Sequence, residues 1–514
     1  MSVLLSWLLL SAVTNDGDQV VRVHTPTAHD VDTVHDLGLD VWTERNVGPW
    51  LDVRLKAGEQ ALLDQTGLDY SLRAVDLGPA VQEERVRLSA PVLHGGMPPE
   101  DFFSEYAPID EIELHLESLA ALRPDLVTAT SPGESFDGRP LRALQISGAA
   151  KDAPVVLVNG GQHAREWISI AATTCLADRL VRNADTPRVA AALEQIRFVI
   201  LPVVNPDGYA HTWATDGDRF WRKNRRPPEG VDLNRNFPVA FGGPGASGNP
   251  GAGNYHGDAA FSEPEAAAVR DLVDGLDPLL ALVDVHAYGQ LVLYPWGFEL
   301  DPAPDDDILA PAAQTLADGM GEPWATDYIA IPGAGLYPAA GNIMDWAYGE
   351  RGAYAYGIEL RPDSDAEPPF GFVLPPEDII PVCDELFEGI MDLTELIADV
   401  DPPGAGDDGG ASGGDSTTSS TGSPPLGDDT GAAGSSSGSA APQSGTGGGT
   451  GSGSATAGPA TPGDETSSGG SESADGDASS DGSDAGCGCT SDGGPGSTAM
   501  LWGLLLFVRR RRYM

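Results

Sequence analysis

The sequence predicts an α/β fold with a mixed, mostly parallel sheet flanked by helices, preceded by a small α+β domain. Across residues 100–398, apolar runs typical of buried strands alternate with helix-like segments, and this alternation favours a sheet that is covered on both faces. Residues 18–95 combine strand-like runs with short helix-like pieces, which favours a compact α+β unit. Residues 401–486 contain no lysine, arginine or aromatic residue, so they lack the apolar surface needed to fold.

The first segment of the chain is typical of a targeting signal. The apolar run Leu4–Val13 is followed by the polar sequence TNDGDQ, so we expect residues 1–17 to be a secretory signal peptide, with an ordinary buried helix as the alternative. The small domain then follows. Its expected strands are QVVRVH, LDVWTE, WLDVRL and YSLRAVDL, and its helix-like pieces are TVHDLGL and GEQALLDQTG.

The polar sequence at the end of the small domain is expected to be an exposed connector. Arg85 and Arg87 lie in it, and an exposed connector is where a protease cuts most readily. We therefore expect a domain that caps the larger one until it is cleaved, with a permanent accessory domain as the alternative.

The larger domain carries the clearest secondary-structure signals. Apolar runs predict strands at Val155–Asn159, Ile196–Val204, Leu280–His286 and Tyr354–Leu360. Helical patterns lie beside or between them, at Asp110–Leu122, Trp167–Arg182, Glu263–Gly275, Ile308–Asp318 and Ile379–Ile397.

Charge and cysteine content exclude two classes of protein. The chain has 29 basic and 77 acidic residues, a formal net charge of −48, which excludes an overall electrostatic grip on nucleic acid. Four cysteines in 514 residues exclude a small disulfide-stapled scaffold. Two of them, Cys175 and Cys383, lie in expected helices. They are either buried thiols or a disulfide, and the sequence leaves both open.

The C-terminal residues 487–514 form a separate tail after the disordered Gly/Ser/Asp-rich linker 401–486. Two cysteines precede the apolar run Ala499–Val508, and four arginines follow it. Ten residues rise about 15 Å as a helix, short of a hydrocarbon core of about 30 Å, so the run is a marginal transmembrane anchor. The whole arrangement resembles the surface-sorting tails of the MYXO-CTERM type. That resemblance implies tail-sorting machinery and display on the cell surface.

Histidine and glutamate residues suggest a metal site at the carboxyl ends of strands. His163 and Glu166 follow the strand VVLVN directly, where sites collect in open α/β sheets. His286 ends another expected strand, and Asp284 is available to orient its ring. Zinc catalysis favours three protein ligands and one open position. The alternatives are a solvated turn and a packed core histidine. Rival third ligands, all in less regular stretches, are His94, His211 and His256.

Seven sequence blocks resemble zinc metallocarboxypeptidases of the digestive carboxypeptidase A/B type, including bacterial carboxypeptidase T. They extend over nearly 300 residues in a consistent order, and the small domain more weakly resembles the activation propeptides of that family. The blocks are NGGQHAREWI (159–168), NPDGY (205–209), FWRKNR (220–225), GVDLNRNF (230–237), SEPE (262–265), DVHAYGQLVLYPWG (284–297), and LYPAAGNIMDWAY (336–348) with YGIELRP (356–362).

The resemblance implies the residues of the reaction centre. His163, Glu166 and His286 match the ligands of one Zn²⁺ per catalytic domain, and Glu359 matches the catalytic glutamate. Arg222 matches the arginine that polarises the scissile carbonyl. Such roles fit general chemistry, because zinc lowers the pKa of a water molecule and a nearby carboxylate acts as a general base. Taken singly, Arg222 is equally a surface ion-pair partner and Glu359 a solvated strand residue.

The resemblance also implies the substrate-binding residues. Asn234 and Arg235 match the pair that binds the terminal carboxylate, and Tyr337 matches the tyrosine that closes over it. A guanidinium suits this task because it binds a carboxylate in a bidentate fashion, although Arg235 alone is equally a structural ion-pair partner. Arg165 and Tyr288 match secondary subsite residues.

One position implies the preferred side chain. Met344 stands where the family places the base of the side-chain pocket. Because methionine is apolar and adaptable, we expect hydrophobic C-terminal residues to be preferred. Gly357, two residues before Glu359, suggests a roomy pocket.

Together these expectations describe a secreted or surface-anchored zinc carboxypeptidase. Its partners would be peptide or protein substrates with a free C-terminus and an activating protease, with no nucleic acid. The alternatives are a cell-wall peptide carboxypeptidase, a catalytically inactive surface protein that binds peptide C-termini, and a structural or adhesion protein with the linker as its stalk.

Overall fold

The computed structural model describes residues 17–43, 49–89, 102–214, 219–366 and 371–398. The expected signal peptide up to residue 16, the linker and the sorting tail lie outside these ranges. So do residues 90–101, which include the expected boundary between the two folded domains. Within the described ranges, no helix combines the length and the apolar character that crossing a membrane requires.

The small N-terminal domain is a four-stranded antiparallel sheet in the order β2-β3-β1-β4. One face carries its own core of valine and leucine residues from the strands and helices. The opposite face places Val20 and Trp42 against Phe220 and Phe372 of the larger domain. Its elements are β1 (Gln19–His24), α1 (Ala28–Asp36), β2 (Asp40–Thr43), β3 (Trp50–Leu55), α2 (Gln60–Asp64), β4 (Tyr70–Ala74) and α3 (Gly78–Leu88).

Helix α3 replaces the exposed connector that the sequence suggested. Arg85 and Arg87 lie in its last turn. A proline in the first turn favours the start of the helix there. A backbone N–H at that position would have no helical acceptor, so proline, which lacks the N–H, loses no hydrogen bond. Burial of Val81 and Glu84 holds the helix in place. The expectation of an open connector at these arginines was therefore wrong, because tertiary packing outweighs the polar composition.

The larger domain contains a mixed eight-stranded sheet in the order β11-β10-β12-β9-β7-β8-β6-β5. Its central strands pair in parallel, whereas antiparallel pairings join β10 to β12, β6 to β8 and β5 to β6. The expected fold class is confirmed. The strands are β5 (Val127–Thr130), β6 (Ala143–Ile146), β7 (Val155–Gly160), β8 (Arg197–Leu201), β9 (Leu279–Gly289), β10 (Leu291–Tyr294), β11 (Ile329–Pro332) and β12 (Tyr354–Asp363).

Helices cover this sheet and enclose one large apolar core. A disulfide between Cys175 and Cys383, with an S–S distance of 2.06 Å, joins two neighbouring helices, α5 and α12. The helices are α4 (Ile109–Leu122), α5 (Trp167–Arg182), α6 (Pro187–Gln195), α7 (Pro206–Trp213), α8 (Pro264–Asp274), α9 (Asp306–Gly321), α10 (Gly333–Leu336), α11 (Ile343–Arg351) and α12 (Ile379–Ile397), with 3₁₀ turns at Leu233–Arg235 and Pro376–Asp378.

Candidate active site

Three adjacent parallel strands carry the candidate residues to one edge of the sheet. Strand β9 lies between β7 and β12. Its register with β12 pairs His286 directly with Glu359, and its register with β7 pairs Asp284 with Asn159. Because side chains at paired positions project to the same face, residues that are far apart along the chain, 125 positions for Asn159 and Asp284, become neighbours.

The turn between β7 and α5 supplies the other two metal-site residues. Gly161 has a φ of +65°, and a Cβ atom there would lie 2.7 Å from Ile170 Cγ1, so both conformation and space require glycine. Ser169 in the first turn of α5 donates to the carbonyl of Glu166 and accepts from the N–H of Gly161. These two hydrogen bonds of Ser169 hold the turn that carries His163 and Glu166 at the carboxyl end of β7.

His163, Glu166 and His286 converge on one point. His163 Nδ1 lies 2.9 Å from Glu166 Oε1, His286 Nδ1 lies 3.1 Å from Glu166 Oε2, and the two Nδ1 atoms are 3.0 Å apart. Tetrahedral zinc ligands at about 2.1 Å from the ion are about 3.4 Å from one another. All three residues are buried, so the triplet has the spacing and chemistry of a zinc site.

The outer nitrogens of both imidazoles support the same conclusion. His163 Nε2 lies 3.1 Å from Asp232 Oδ1, and His286 Nε2 lies 2.6 Å from Asp284 Oδ2. A carboxylate at Nε2 keeps the ring hydrogen there, which leaves a lone pair on Nδ1. Two lone pairs and a carboxylate oxygen therefore face one another, and this donor set fits a divalent cation.

Electrostatics keep the carboxylate of the triplet charged. Burial by itself would raise the pKa of Glu166, but His163 and His286, when their rings are protonated, outweigh it and hold the pKa below its ordinary value. Glu166 Oε2 also accepts a hydrogen bond from the N–H of Ala287. The charged carboxylate is the form that a metal ion requires.

Arg222 is held beside the triplet by Asp232. Its Nε and Nη2 atoms donate to Asp232 Oδ2 at 3.2 and 3.0 Å. Burial opposes ionisation of Asp232, but the charges of Arg222 and Arg235 and the contact with His163 keep its pKa well below the usual value. The N–H of Ala164 donates to the carbonyl of Arg222, which joins this arginine to the metal-site turn.

Arg235, Asn234 and Tyr337 lie together further along the cleft. Arg235 is 2% exposed and is oriented by donation to the carbonyls of Gly245 and Asn234. Its Nη2 atom also contacts the Tyr337 hydroxyl. Asn234 accepts from the N–H of Ile343 and donates through Nδ2 to Asp284. A guanidinium, an amide and a phenol thus surround one end of the cleft.

The cleft spans about 850 Å³, including its mouth that is open to solvent, and its lining contains the triplet, Arg222, Arg235 and Glu359. A Cβ atom at Gly357 would meet Leu293 at an ordinary 3.5 Å, so glycine there leaves space that close packing does not demand. At Gly333, by contrast, a Cβ atom would lie 2.9 Å from Met344 Cε. The small and apolar residues that line the cleft include Leu291, Leu293, Gly297, Gly333, Met344 and Gly357.

The N-terminal domain covers the outer part of the same cleft. Arg165 is 1% exposed, contacts the Asp40 carboxylate and donates to the carbonyl of Val41. Trp42 and Thr43 of β2 line the cleft itself. Tyr288 packs edge-on against Phe372, and burial raises its pKa.

Of the three rival histidine ligands, the two that the structure describes have other packing partners. His211 packs against Trp221, and His256 packs against Phe241 and contacts the carbonyl of Gly257. His94 lies outside the described residues. Asp232 was missed as a partner of His163 and Arg222, although it stands in the block GVDLNRNF. A covering N-terminal domain was expected, but the residues that make the contact, Asp40, Val41 and Trp42, were not predicted.

The fold and the triplet define a metal-dependent hydrolase of the α/β class. A family model described as zinc carboxypeptidase matches residues 112–389. The chain therefore belongs to the zinc carboxypeptidase family: it is a peptide hydrolase whose cofactor is zinc.

Individual relatives match a larger share of the chain than the family model does. Carboxypeptidase A4 of Mus musculus is 33% identical over 409 residues, covering 74% of this chain and 94% of the relative. Carboxypeptidase B of Bos taurus is 32% identical over 406 residues, with 74% and 94% covered. Among solved structures, the carboxypeptidase A from Helicoverpa armigera has a TM-score of 0.67 at 29% identity, covering 75% of this chain and 98% of the other.

Proposed function

We propose that this protein is a secreted or surface-anchored carboxypeptidase that removes hydrophobic C-terminal residues from peptides and proteins. The observation that carries the proposal is the convergence of His163, Glu166 and His286 in a cleft that Arg235 also lines. A metal site beside a buried guanidinium suits an enzyme that recognises a free carboxylate and cuts the adjacent peptide bond.

The proposed ligands are His163, Glu166 and His286. Zinc, when bound, supplies a Lewis acid that polarises a carbonyl and lowers the pKa of water. Glu359, beside His286 on the adjacent strand, is the general base that takes the proton of the attacking water and passes it to the leaving amine. The Arg222 guanidinium stabilises the negative charge that develops on the carbonyl oxygen.

Substrate orientation comes from the opposite end of the cleft. Arg235 binds the terminal carboxylate through two parallel hydrogen bonds, which a planar guanidinium makes well. Asn234 adds a neutral donor, and Tyr337 closes over the bound carboxylate from its position against Arg235. Arg165 and Tyr288 contact the residues upstream of the scissile bond once the N-terminal domain has left.

The preferred side chain follows from the apolar lining of the cleft. Met344, Leu291 and Leu293 offer no charge to a basic side chain, and Gly357 leaves room for a large one. We therefore expect blocked dipeptides ending in Phe, Tyr, Leu or Met to be hydrolysed faster than those ending in Arg or Lys. A hydrolysis panel that measures kcat/KM for each ending tests this.

The variant Met344→Asp is a second test. It places a carboxylate among the lining residues and should shift the preference toward C-terminal Arg. Faster hydrolysis of Arg than of Phe by the unaltered enzyme would contradict the proposed specificity. Absence of chelator-sensitive hydrolysis of every substrate would instead indicate the peptide-binding alternative.

The other segments have proposed roles in delivery and control. We take residues 18–95 as an inhibitory propeptide, supported by the contacts of Asp40 and Trp42 with the catalytic domain of residues 100–398. An activating protease would remove it. Residues 1–17 would direct secretion, residues 401–486 would act as a linker, and residues 487–514 would form a MYXO-CTERM-like sorting tail.

A further inference from the structure

Asp284 lies at the centre of a buried polar cluster beside the metal site. It is 1% exposed, and side-chain nitrogens from four separate places point at its two oxygens. Asn159 Nδ2 donates to Oδ1 at 2.6 Å. The contacts to Oδ2 come from Gln162 Nε2 at 2.8 Å, Asn234 Nδ2 at 3.3 Å and His286 Nε2 at 2.6 Å.

These donors restrict the position of the Asp284 carboxylate. One contact reaches Oδ1 and three reach Oδ2, and since a carboxylate oxygen offers about two acceptor sites, the capacity of Oδ2 is fully used. The donors come from β7, the metal-site turn, the 3₁₀ turn and β9, so Oδ2 is held from three directions and Oδ1 from a fourth. The side-chain amide nitrogens of Asn159 and Gln162 donate to this carboxylate and not to the metal ligands themselves.

We propose that Asp284 is a positioning residue that fixes the ring orientation and tautomer of His286 for zinc. The 2.6 Å contact holds the ring hydrogen on Nε2, so the Nδ1 lone pair faces His163 and Glu166. Carboxylates in this position orient a histidine ligand and increase its basicity. The inference rests on the proposed assignment of His286 as a zinc ligand.

Asp232 and Asp284 each contact one imidazole of the triplet, but they differ in their other contacts. Asp232 contacts His163 but also Arg222 and Arg235, so changing it would disturb substrate-binding arginines together with the metal site. Asp284 contacts the imidazole of His286, and its other contacts are neutral amides. Asp284 therefore reports on metal-ligand positioning more cleanly.

The test is the zinc affinity of the full chain carrying Asp284→Asn, measured by competition of the zinc-stripped protein with a chelator. We expect a loss of about 10–100-fold. The visible spectrum of the Co²⁺-substituted protein should also change, because the histidine ligand reorients. In a His286→Ala background, Asp284→Asn should cause no further loss, since the ring on which it acts is absent.

The matched control is Asp178→Asn. Asp178 is a buried carboxylate that lies 3.0 Å from His115 Nε2, and it stands 12 residues beyond Glu166, about 18 Å along a helix. Its change should lower stability and leave zinc affinity unaltered. If Asp284→Asn does not fold, Gln162→Met, which removes one donor to Asp284, should weaken zinc binding in the same direction.

The outcomes separate the inference from the function on which it rests. Unchanged zinc affinity in Asp284→Asn or, where that variant does not fold, in Gln162→Met, with a large loss in His286→Ala, would overturn the positioning role and keep the ligand assignment. Unchanged affinity in His286→Ala would overturn the ligand assignment itself.

Discussion

The inner and outer parts of the cleft differ in where their partners come from. The inner part consists of His163, Glu166 and His286, and their contacts lie with Asp232, Asp284 and Ala287 of the same domain. The outer part contains Arg165 and Tyr288. Arg165 takes its contacts from Asp40 and Val41 of the N-terminal domain.

This difference teaches which part of the site depends on the N-terminal domain. A buried arginine needs a hydrogen-bonding partner, so removal of the domain obliges Arg165 to exchange Asp40 for water or substrate. The partners of His163, Glu166 and His286 all lie in the larger domain, so removal of the N-terminal domain takes none of them away. We therefore expect the metal site to form in the intact chain, whereas access for substrate changes when the domain leaves.

Among the residues around the triplet, a large effect is expected from Arg222, which is held beside it by Asp232. Arg222→Ala removes the donor proposed to stabilise the developing oxyanion, so kcat should fall by about 10²–10³-fold with zinc content unchanged. Steady-state kinetics on a blocked dipeptide ending in Phe measures this. Arg225→Ala is the control, because that arginine lies in the same basic run but stacks on Trp221. Equal losses in both variants would contradict the assigned role.

A smaller effect is expected from the contact that covers the outer part. Asp40→Asn weakens the ion pair with Arg165, and loss of one partner of a buried charge pair costs about 2–5 kcal/mol. Activity of the uncleaved chain should rise at least about tenfold, measured before any protease is added. Asp32→Asn, at an exposed position of α1, should leave it unchanged. An unchanged rate in Asp40→Asn would show that this ion pair does not contribute to the cover.

The disulfide should affect stability and leave catalysis nearly unchanged. Cys175 and Cys383 join α5, which follows the metal-site turn, to α12. Replacing both with serine should lower the free energy of unfolding by about 2–5 kcal/mol, measured by denaturant titration, while kcat/KM at low temperature stays close to the original. Free thiols at Cys175 and Cys383 in the non-reduced protein, located by alkylation and mass spectrometry of the peptides, would contradict the pairing.

The sequence predicted the long elements better than the short ones. Helices α5 and α12 begin and end at the predicted residues, because their apolar periodicity extends over many turns. Strands β10 and β11 were not predicted, since four residues carry little periodic signal. Helix α3 was mistaken for a connector because the burial that holds it, at Val81 and Glu84, comes from distant parts of the chain.

The site shows the same division between local and distant information. His163 and Glu166 stand three residues apart, and their motif predicted a shared site. The approach of His286 depended on strand order, which the residues alone did not fix, and the family resemblance supplied it. The Cys175–Cys383 pairing spans 208 residues, and the Asp40–Arg165 contact crosses between domains. Neither leaves a local pattern.

The most direct test of the inner part is zinc content measured together with turnover for the unaltered enzyme and Glu359→Gln. Our account predicts one zinc per chain in both proteins. It also predicts a loss of turnover of about 10²–10⁴-fold in the variant, with the exposed Glu322→Gln as control. Near-normal turnover in Glu359→Gln, or full turnover of the unaltered enzyme after zinc is removed, would contradict it.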